Sequence, residues 1–434
     1  MSRNITHVLT LQPGPVSLRV GVSKRFVSAK QTGSTKERNM VAAWTKAWLC
    51  FAALSVTRIA SAQVRDLTLT VIRQFDEPIL SVSSPGAEGN KYGFEGGRVL
   101  KLGDTYHLFT SEMVGDPHWV KMRLAHWISR DRMHWKRAST LFESSGDFTG
   151  KDPRAALWSP MPIYDETEGR WNLFYVAYQS APDTSKEWRT NHEGRIWRAV
   201  SRIRGRGGID GPYEDTGVVL QRGKDSDPWE GLQGTDSFFP YQVGKRWYAF
   251  YGSAHTETQP ISLWQIGLAW APHLSGPWKR CSELNPLNIE EVFIENPVVT
   301  RLPDKTYIAV YDNHVEHSVG YTFSRDGIHW APGRALVVQK AKGIWASEVR
   351  TPLGLIPEGH GSFTLFYTAN QDQLGAPIGQ QWIKKTPGAL GLVEVKVKRV
   401  HDEKSSIRTS SVFFWFTAVG AALYGYEEKR RRYA

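Results

Sequence analysis

Apolar positions gather in short runs along this chain, and five of the runs share one pattern. Each is an aromatic-rich stretch whose tail turns small or polar: Tyr106–Ser111 (YHLFTS), Trp171–Tyr178 (WNLFYVAY), Trp247–Ala254 (WYAFYGSA), Tyr307–Asn313 (YIAVYDN) and Phe363–Asn370 (FTLFYTAN). The runs are β-branched or aromatic and too short for helices, so they predict strands. Their starts lie 65, 76, 60 and 56 residues apart, the spacing of sheet-sized units with loop insertions. Repeats of this size mark propellers and solenoids. Five units around an axis predict an all-β chain folded as a five-bladed β-propeller.

Flanking patterns repeat as well. Most aromatic runs are followed by a strand of small residues that closes on a turn and a Trp or Tyr: Leu124–Trp135, Arg198–Tyr213, Leu268–Trp278 and Val319–Trp330. Their SRDG and SGP segments have the Asp, Gly and Pro chemistry of tight connections. A short run precedes each aromatic strand: Phe94–Val99 (FEGGRV), Trp158–Asp165 (WSPMPIYD), Thr235–Val243 (TDSFFPYQV), Ile294–Val299 (IENPVV) and Val349–Ile356 (VRTPLGLI). In a propeller these are the innermost strands, and their first residues face the axial pocket. Asp66–Gln74 alternates apolar and polar and is predicted to pair near Leu392–Val397, closing the ring.

The chain ends read as addressing signals. Lys46, the apolar AWLCFAALSV stretch and Ala60-Ser61-Ala62 make residues 40–62 a secretory signal peptide, cleaved before Gln63. A signal begins at the N-terminus, so Met40 is the expected start, and residues 1–39 are a mis-assigned start or a leader. Residues 63–400 hold the propeller and 401–411 a linker. In the 412–434 tail, the apolar Val412–Tyr426 falls short of the roughly 20 residues that span a bilayer upright. The basic cluster after it fits a tail anchored with its C-terminus inside; a packed terminal helix is the alternative. Export to the periplasm, cell surface or medium is expected, with membrane tethering through the tail.

The net charge of +11 sits mostly in these ends. Residues 1–62 hold nine Lys/Arg and one Glu, residues 427–434 four basic and two acidic, leaving the body at +1. A nearly neutral body has no electrostatic footprint for nucleic acid. Cys50 leaves with the signal, so Cys281 is alone and no internal disulfide forms. A secreted fold without disulfides needs a large core, which a chain of this length supplies. No zinc spacing, P-loop or dinucleotide fingerprint stands out. No cofactor is expected, though the axial channel could take a structural calcium; the oligomeric state stays open.

Three acids stand at matching places. Glu95 lies 11 residues before Tyr106, Asp236 lies 11 before Trp247, and Glu295 lies 12 before Tyr307. Equal offsets imply equal heights in their blades, so all three carboxylates are predicted to point into the axial funnel. Converging acids repel, their pKa values separate, and at least one stays protonated near neutral pH. Glycoside hydrolysis uses such a set, an acid to protonate the leaving oxygen and a carboxylate opposite.

These segments resemble a known family. Thr235–Gly252 (TDSFFPYQVGKRWYAFYG) is similar to the third-blade motif of glycoside hydrolase family 43 and its clan relatives, in which an Asp opens the inner strand. IENPVV resembles the fourth-blade motif that carries the general acid. The S-x-D-G-x-x-W and S-G-P-W turns recur in families 43, 32 and 68. The resemblance covers roughly residues 67–398 and extends to the five-bladed superfamily with families 62, 117 and 130. It implies an oligosaccharide or polysaccharide substrate, with Glu295 as acid, Asp236 tuning and orienting it, and Glu95 as base. It also favours inversion, although family 32 retains. The chain departs from the pattern at Glu95-Gly96, where the family has Asp-Pro. Asp152, in KDPRAALWSP, is the competing base. A propeller that binds carbohydrate without cleaving it is the alternative reading.

Other candidates carry weaker signals. Trp158 could stack on a sugar ring or pack between blades. His255 and His314 follow aromatic strands and could reach the pocket rim. Arg350 opens the inner strand of blade five, where it could bind substrate or pair with Glu348 or a pocket acid. Asp165, Glu166 and Glu168 fall in a turn and are expected to face solvent.

Overall fold

The computed structural model describes residues 66–261, 263–315, 317–339, 345–370 and 386–399. The expected leader, signal segment, linker and C-terminal tail lie outside these residues. Among the described residues no helix is long and apolar enough to cross a membrane.

Among the described residues, twenty strands make five four-stranded antiparallel sheets. After β1 (Leu67–Gln74), the first blade runs β2 (Phe94–Leu102), β3 (Thr105–Met113), β4 (Met122–Ser129) and β5 (Lys136–Glu143). The second is β6 (Ala156–Asp165), β7 (Arg170–Gln179), β8 (His192–Arg204) and β9 (Tyr213–Gln221). The third is β10 (Asp236–Val243), β11 (Arg246–Ala254), β12 (Trp264–Ala271) and β13 (Lys279–Arg280). The fourth is β14 (Ile294–Arg301), β15 (Tyr307–Asn313), β16 (Ser318–Ser324) and β17 (Arg334–Val337). The fifth joins β18 (Glu348–Gly359), β19 (Ser362–Asn370) and β20 (Ala389–Arg399) to β1. Leu67 pairs with Arg399 and Gln74 with Val393, so the first strand closes the last blade as the sequence predicts. The inner strands pack in ring order: β6 contacts β2 and β10, and β18 contacts β2 and β14, which touches β10.

Position within the blade accounts for the sequence patterns. The aromatic runs are the second strands, covered on both edges and both faces, so they read as continuous apolar stretches. The outer strand β5 alternates exposed and half-buried residues, and its sequence KRASTLFE is correspondingly polar. In blades two to five the fifth residue of the aromatic run is a buried Tyr: Tyr175, Tyr251, Tyr311 and Tyr367. The first three donate their hydroxyls to Asp215 (2.6 Å), Glu230 (3.0 Å) and Glu290 (2.5 Å), and Tyr367 accepts from Gln339. A buried phenol without a partner costs about 1–3 kcal/mol, so each ring brings its own acceptor or donor. Gly320 on β16 makes room for one of them, since a Cβ there would lie 1.9 Å from a Tyr311 ring carbon.

The turns at Ser129–Asp131 and Ser324–Asp326 form as Asx turns. Asp131 and Asp326 each accept two backbone N–H groups and the Nδ1 of the His three residues on, at 2.7 Å. The expectation for Asp165 is corrected. It is only 4% exposed, because its Oδ1 turns inward to accept the Thr167 and Glu168 amides. Glu168 instead pairs with Arg198 at 3.0 Å, and Glu166 is exposed.

Between blades one and two, His107 Nδ1 lies 3.0 Å from His126 Nε2, and His126 Nδ1 lies 3.1 Å from Asp210 Oδ1. Burial, with His126 adding to it, lowers the His107 pKa to about 4. A depressed His pKa means that the unfolded chain takes the proton first. Stability from His107 is therefore complete above about pH 6.5 and is lost as pH falls toward 4. The expected result is a lower denaturation midpoint at pH 4.5 than at pH 7, with a smaller difference in His107→Gln. An unchanged difference in the variant would place the acid sensitivity elsewhere.

Candidate active site

Every inner strand shifts register at its axial start. The breaks fall at Glu95/Gly97, Trp158/Met161, Asp236/Phe239, Glu295/Val298 and Val349/Pro352. A bulge leaves one residue unpaired and re-aims its side chain. In four blades the residue after the break's first member is left-handed: Gly96 (φ 69°), Ser159 (φ 50°), Ser237 (φ 52°) and Asn296 (φ 49°). For the three that are not glycine this conformation costs on the order of 1–3 kcal/mol each, and it persists only where neighbours enforce it.

The enforcing neighbours form a polar ring on the axis. Ser159 Oγ donates to Asn296 Oδ1 (3.2 Å), the Asn296 amide donates to Ser237 Oγ (3.1 Å), and Asn296 Nδ2 reaches Thr351 Oγ1 (3.5 Å). A Cβ on Gly96 would meet Ser159 Oγ at 2.6 Å. The Glu95-Gly96 departure thus has a local cause, a left-handed turn with no room for a side chain. These ring oxygens are engaged with one another, and none belongs to a carboxylate. Among the described residues the metal-competent group is His107, His126 and Asp210, on the blade flank.

Above the ring opens a cavity of about 910 Å³. Glu95, Trp158, Asp236, Glu295 and Arg350 all line it. Arg350 donates through Nε (3.2 Å) and Nη2 (3.0 Å) to Glu95 Oε1, and Nη2 lies 4.0 Å from Glu295 Oε2 and 3.7 Å from Asp312 Oδ2. Arg350 thus pairs with a pocket acid, one of the alternatives open for it, and Glu348 adds to the field around its guanidinium. Because one nitrogen touches both, Glu95 Oε1 and Glu295 Oε2 are at most 7.0 Å apart.

Burial pushes the Glu295 pKa well above its ordinary value, and Asp236 raises it further, while Arg350 opposes both. Burial raises Asp236 too, against hydrogen bonds from the Ser237 amide (2.5 Å), Tyr178 and Gln233 Nε2 (3.1 Å). Those donors favour the ionised form of Asp236 and offset part of the rise, whereas Glu295 is raised further by the Asp236 charge.

The remaining expected residues lie elsewhere. His255 and His314 are not among the cavity-lining residues. His255 is turned to Glu257 (Nδ1 to Oε1, 2.6 Å), and the next residue, Thr256, faces the cavity in its place; His314 is exposed. Asp152 does not line the cavity either, because its Oδ1 accepts the Arg154 amide at 2.8 Å in a loop turn. Trp158 lines the cavity with its indole N–H committed to the Trp119 carbonyl (3.2 Å).

Sequence reasoning passed over Asp312, Tyr178 and a chain of rim aromatics. The first two were within reach: the polar tail of each aromatic run lies opposite the start of its inner strand, and Asp312 is the register partner of Glu295. All but Trp264, the first residue of β12, come from loops. Neighbouring rings run Tyr92, His118, Trp119, Trp188, Trp264 and Phe293, with successive centroids 4.4, 4.8, 5.9, 6.4 and 6.0 Å apart. Burial lowers the His118 pKa to about 4, so this ring is uncharged at neutral pH.

No protein-family profile matches the sequence, and no curated protein matches it. Solved structures do match. A structure described as a BT0996 complex with RGII aligns at 15% identity and TM-score 0.53, over 75% of this chain and 92% of that one. A structure described as a glycoside hydrolase aligns at 15% identity and TM-score 0.50, with the same two coverages of 75% and 92%. A family 117 glycoside hydrolase from the marine bacterium Zobellia galactanivorans aligns at 12% identity and TM-score 0.49, over 76% and 90%. At TM-scores of 0.53 and 0.50 the first two share the fold of this chain, and the second of them is described as a glycoside hydrolase.

Proposed function

We propose that this protein is an exported glycoside hydrolase that cleaves a glycosidic bond with inversion at the anomeric carbon. The observation that carries the reading is a buried Glu295, its pKa raised by burial and by Asp236, lining one cavity with an Arg350-clamped Glu95. Glu295 gives its proton to the departing oxygen. Glu95, with Oε1 fixed by Arg350, uses its other oxygen to take a proton from water attacking the opposite face of the sugar. Asp236 keeps Glu295 protonated and aligned. Inverting enzymes separate their carboxyl groups by roughly 6.5–9.5 Å, retaining ones by about 5–5.5 Å. The 7.0 Å upper limit on the nearest oxygens reaches only the short end of the inverting window and includes the retaining distance as well. A Glu where the family has Asp reaches further and has that effect.

A second reading has an observation of its own. Arg350 occupies one oxygen of Glu95, as a propeller that binds sugar without cleaving it could also arrange. Purified protein on a panel of aryl glycosides and plant or algal oligosaccharides separates the two. Reducing sugar released from at least one member is the expected result. Binding without release from any would replace hydrolysis by recognition.

The charge pair sets a pH signature. Activity needs protonated Glu295 and is lost as pH rises through its elevated pKa. Asp236→Asn removes the charge that raises it, so the alkaline limb of kcat/KM is expected to move to lower pH. A limb that stays in place or moves up would remove Asp236 from this role.

A further inference from the structure

We infer that the leaving-group side of the funnel is an apolar subsite that takes a hydrophobic aglycone, an alcohol or phenol with extended hydrocarbon surface; this rests on the proposed hydrolase reading. The wall next to the acid is formed by Ile261, Leu263, Trp264, Val292 and Phe293, all of which line the cavity. None of these five carries a charge, and the one polar atom among their side chains, the Trp264 indole N–H, is buried. Leu263 is 41% and Val292 48% exposed, so hydrocarbon that a folded chain normally covers faces the cavity mouth.

The wall is built, because backbone bonds hold its two segments together. The Trp264 amide donates to the Val292 carbonyl at 3.0 Å, Trp264 and Phe293 form a parallel bridge, and their rings meet at 6.0 Å. Phe293 stands two residues before Glu295, so the wall adjoins the proton donor. The group that Glu295 protonates is the one that departs, which places the aglycone against this wall. At the base, by contrast, the Arg350 guanidinium donates two hydrogen bonds to Glu95, and both residues line the cavity. A second sugar against the wall would lose water from its hydroxyls and gain no hydrogen-bonding side chain among these five residues. A hydrocarbon surface there gains by leaving water.

The test uses the full chain and the sugar that the panel identifies, as its methyl, hexyl and octyl glycosides. These alkanols are nearly equal as leaving groups, so differences report contact with the wall. The expected result is a kcat/KM at least tenfold higher for octyl than for methyl, with the ratio falling toward one in the exposed-site double variant Leu263→Ser/Val292→Ser. In parallel, 2-naphthol is titrated against tryptophan fluorescence in wild type and variant. Saturable quenching in wild type that weakens in the variant supports the subsite even if no glycoside is hydrolysed, in which case the hydrolase reading falls alone. Hydrolysis with an octyl-to-methyl ratio near one and no naphthol binding overturns the subsite and leaves the hydrolase reading standing.

Discussion

Glu295→Gln is expected to lower kcat by about 10²–10⁴-fold on a glycoside with a poor leaving group, the contribution of a positioned general acid. Glutamine keeps the shape of the side chain but has no proton to give to the departing oxygen. The loss should shrink as the leaving group improves, because a stable phenolate needs little protonation. That dependence separates an acid from a residue that merely holds the substrate, whose removal would depress all substrates alike. The fold should survive, since the wild-type group is itself held neutral by burial and by Asp236. Equal turnover by variant and wild type on a poor leaving group would take Glu295 out of the mechanism.

Arg350→Met should be the most damaging single change to the stability of the site. The guanidinium lies within 4.0 Å of Glu95, Glu295 and Asp312, and Asp312 is almost wholly buried. Removing one partner of a buried ion pair leaves the other charge without compensation, at about 3–5 kcal/mol. Some 32% of the Arg350 side chain is exposed to the cavity, so the lower end, about 3 kcal/mol, is expected. Chemical denaturation reads this directly. In a double-mutant cycle the cost should fall when Glu95 is already glutamine, because that side chain then no longer needs the cation. A loss of stability that is the same in the Glu95→Gln background would show that Arg350 acts through packing.

The fold was legible because blades repeat. A pattern read once predicts little, but five aromatic runs, each with an inner strand before it, leave few architectures, and closure by Leu67–Gln74 follows from them. The acids were legible for the same reason: matching offsets in different blades mean matching heights. What could not be read depends on contacts between blades. Arg350 and Glu95 are 255 residues apart, and nothing local to either names the other. His255 stands beside a cavity-lining residue, yet alternation and a local Glu257 turn it away. Trp188 sits in a loop without periodicity and Trp264 at the first position of β12, so their meeting is a property of the folded ring.

The central claim is that water attacks from the Glu95 side while Glu295 protonates the opposite face. It is tested most directly by the configuration of the first-formed sugar. In a proton NMR time course on a substrate from the panel, enough protein is used that hydrolysis outruns mutarotation. The account predicts that the first anomeric signal has the configuration opposite to the substrate's. A first-formed sugar with the substrate's own configuration would contradict it, and would make Glu95 a nucleophile that forms a covalent intermediate.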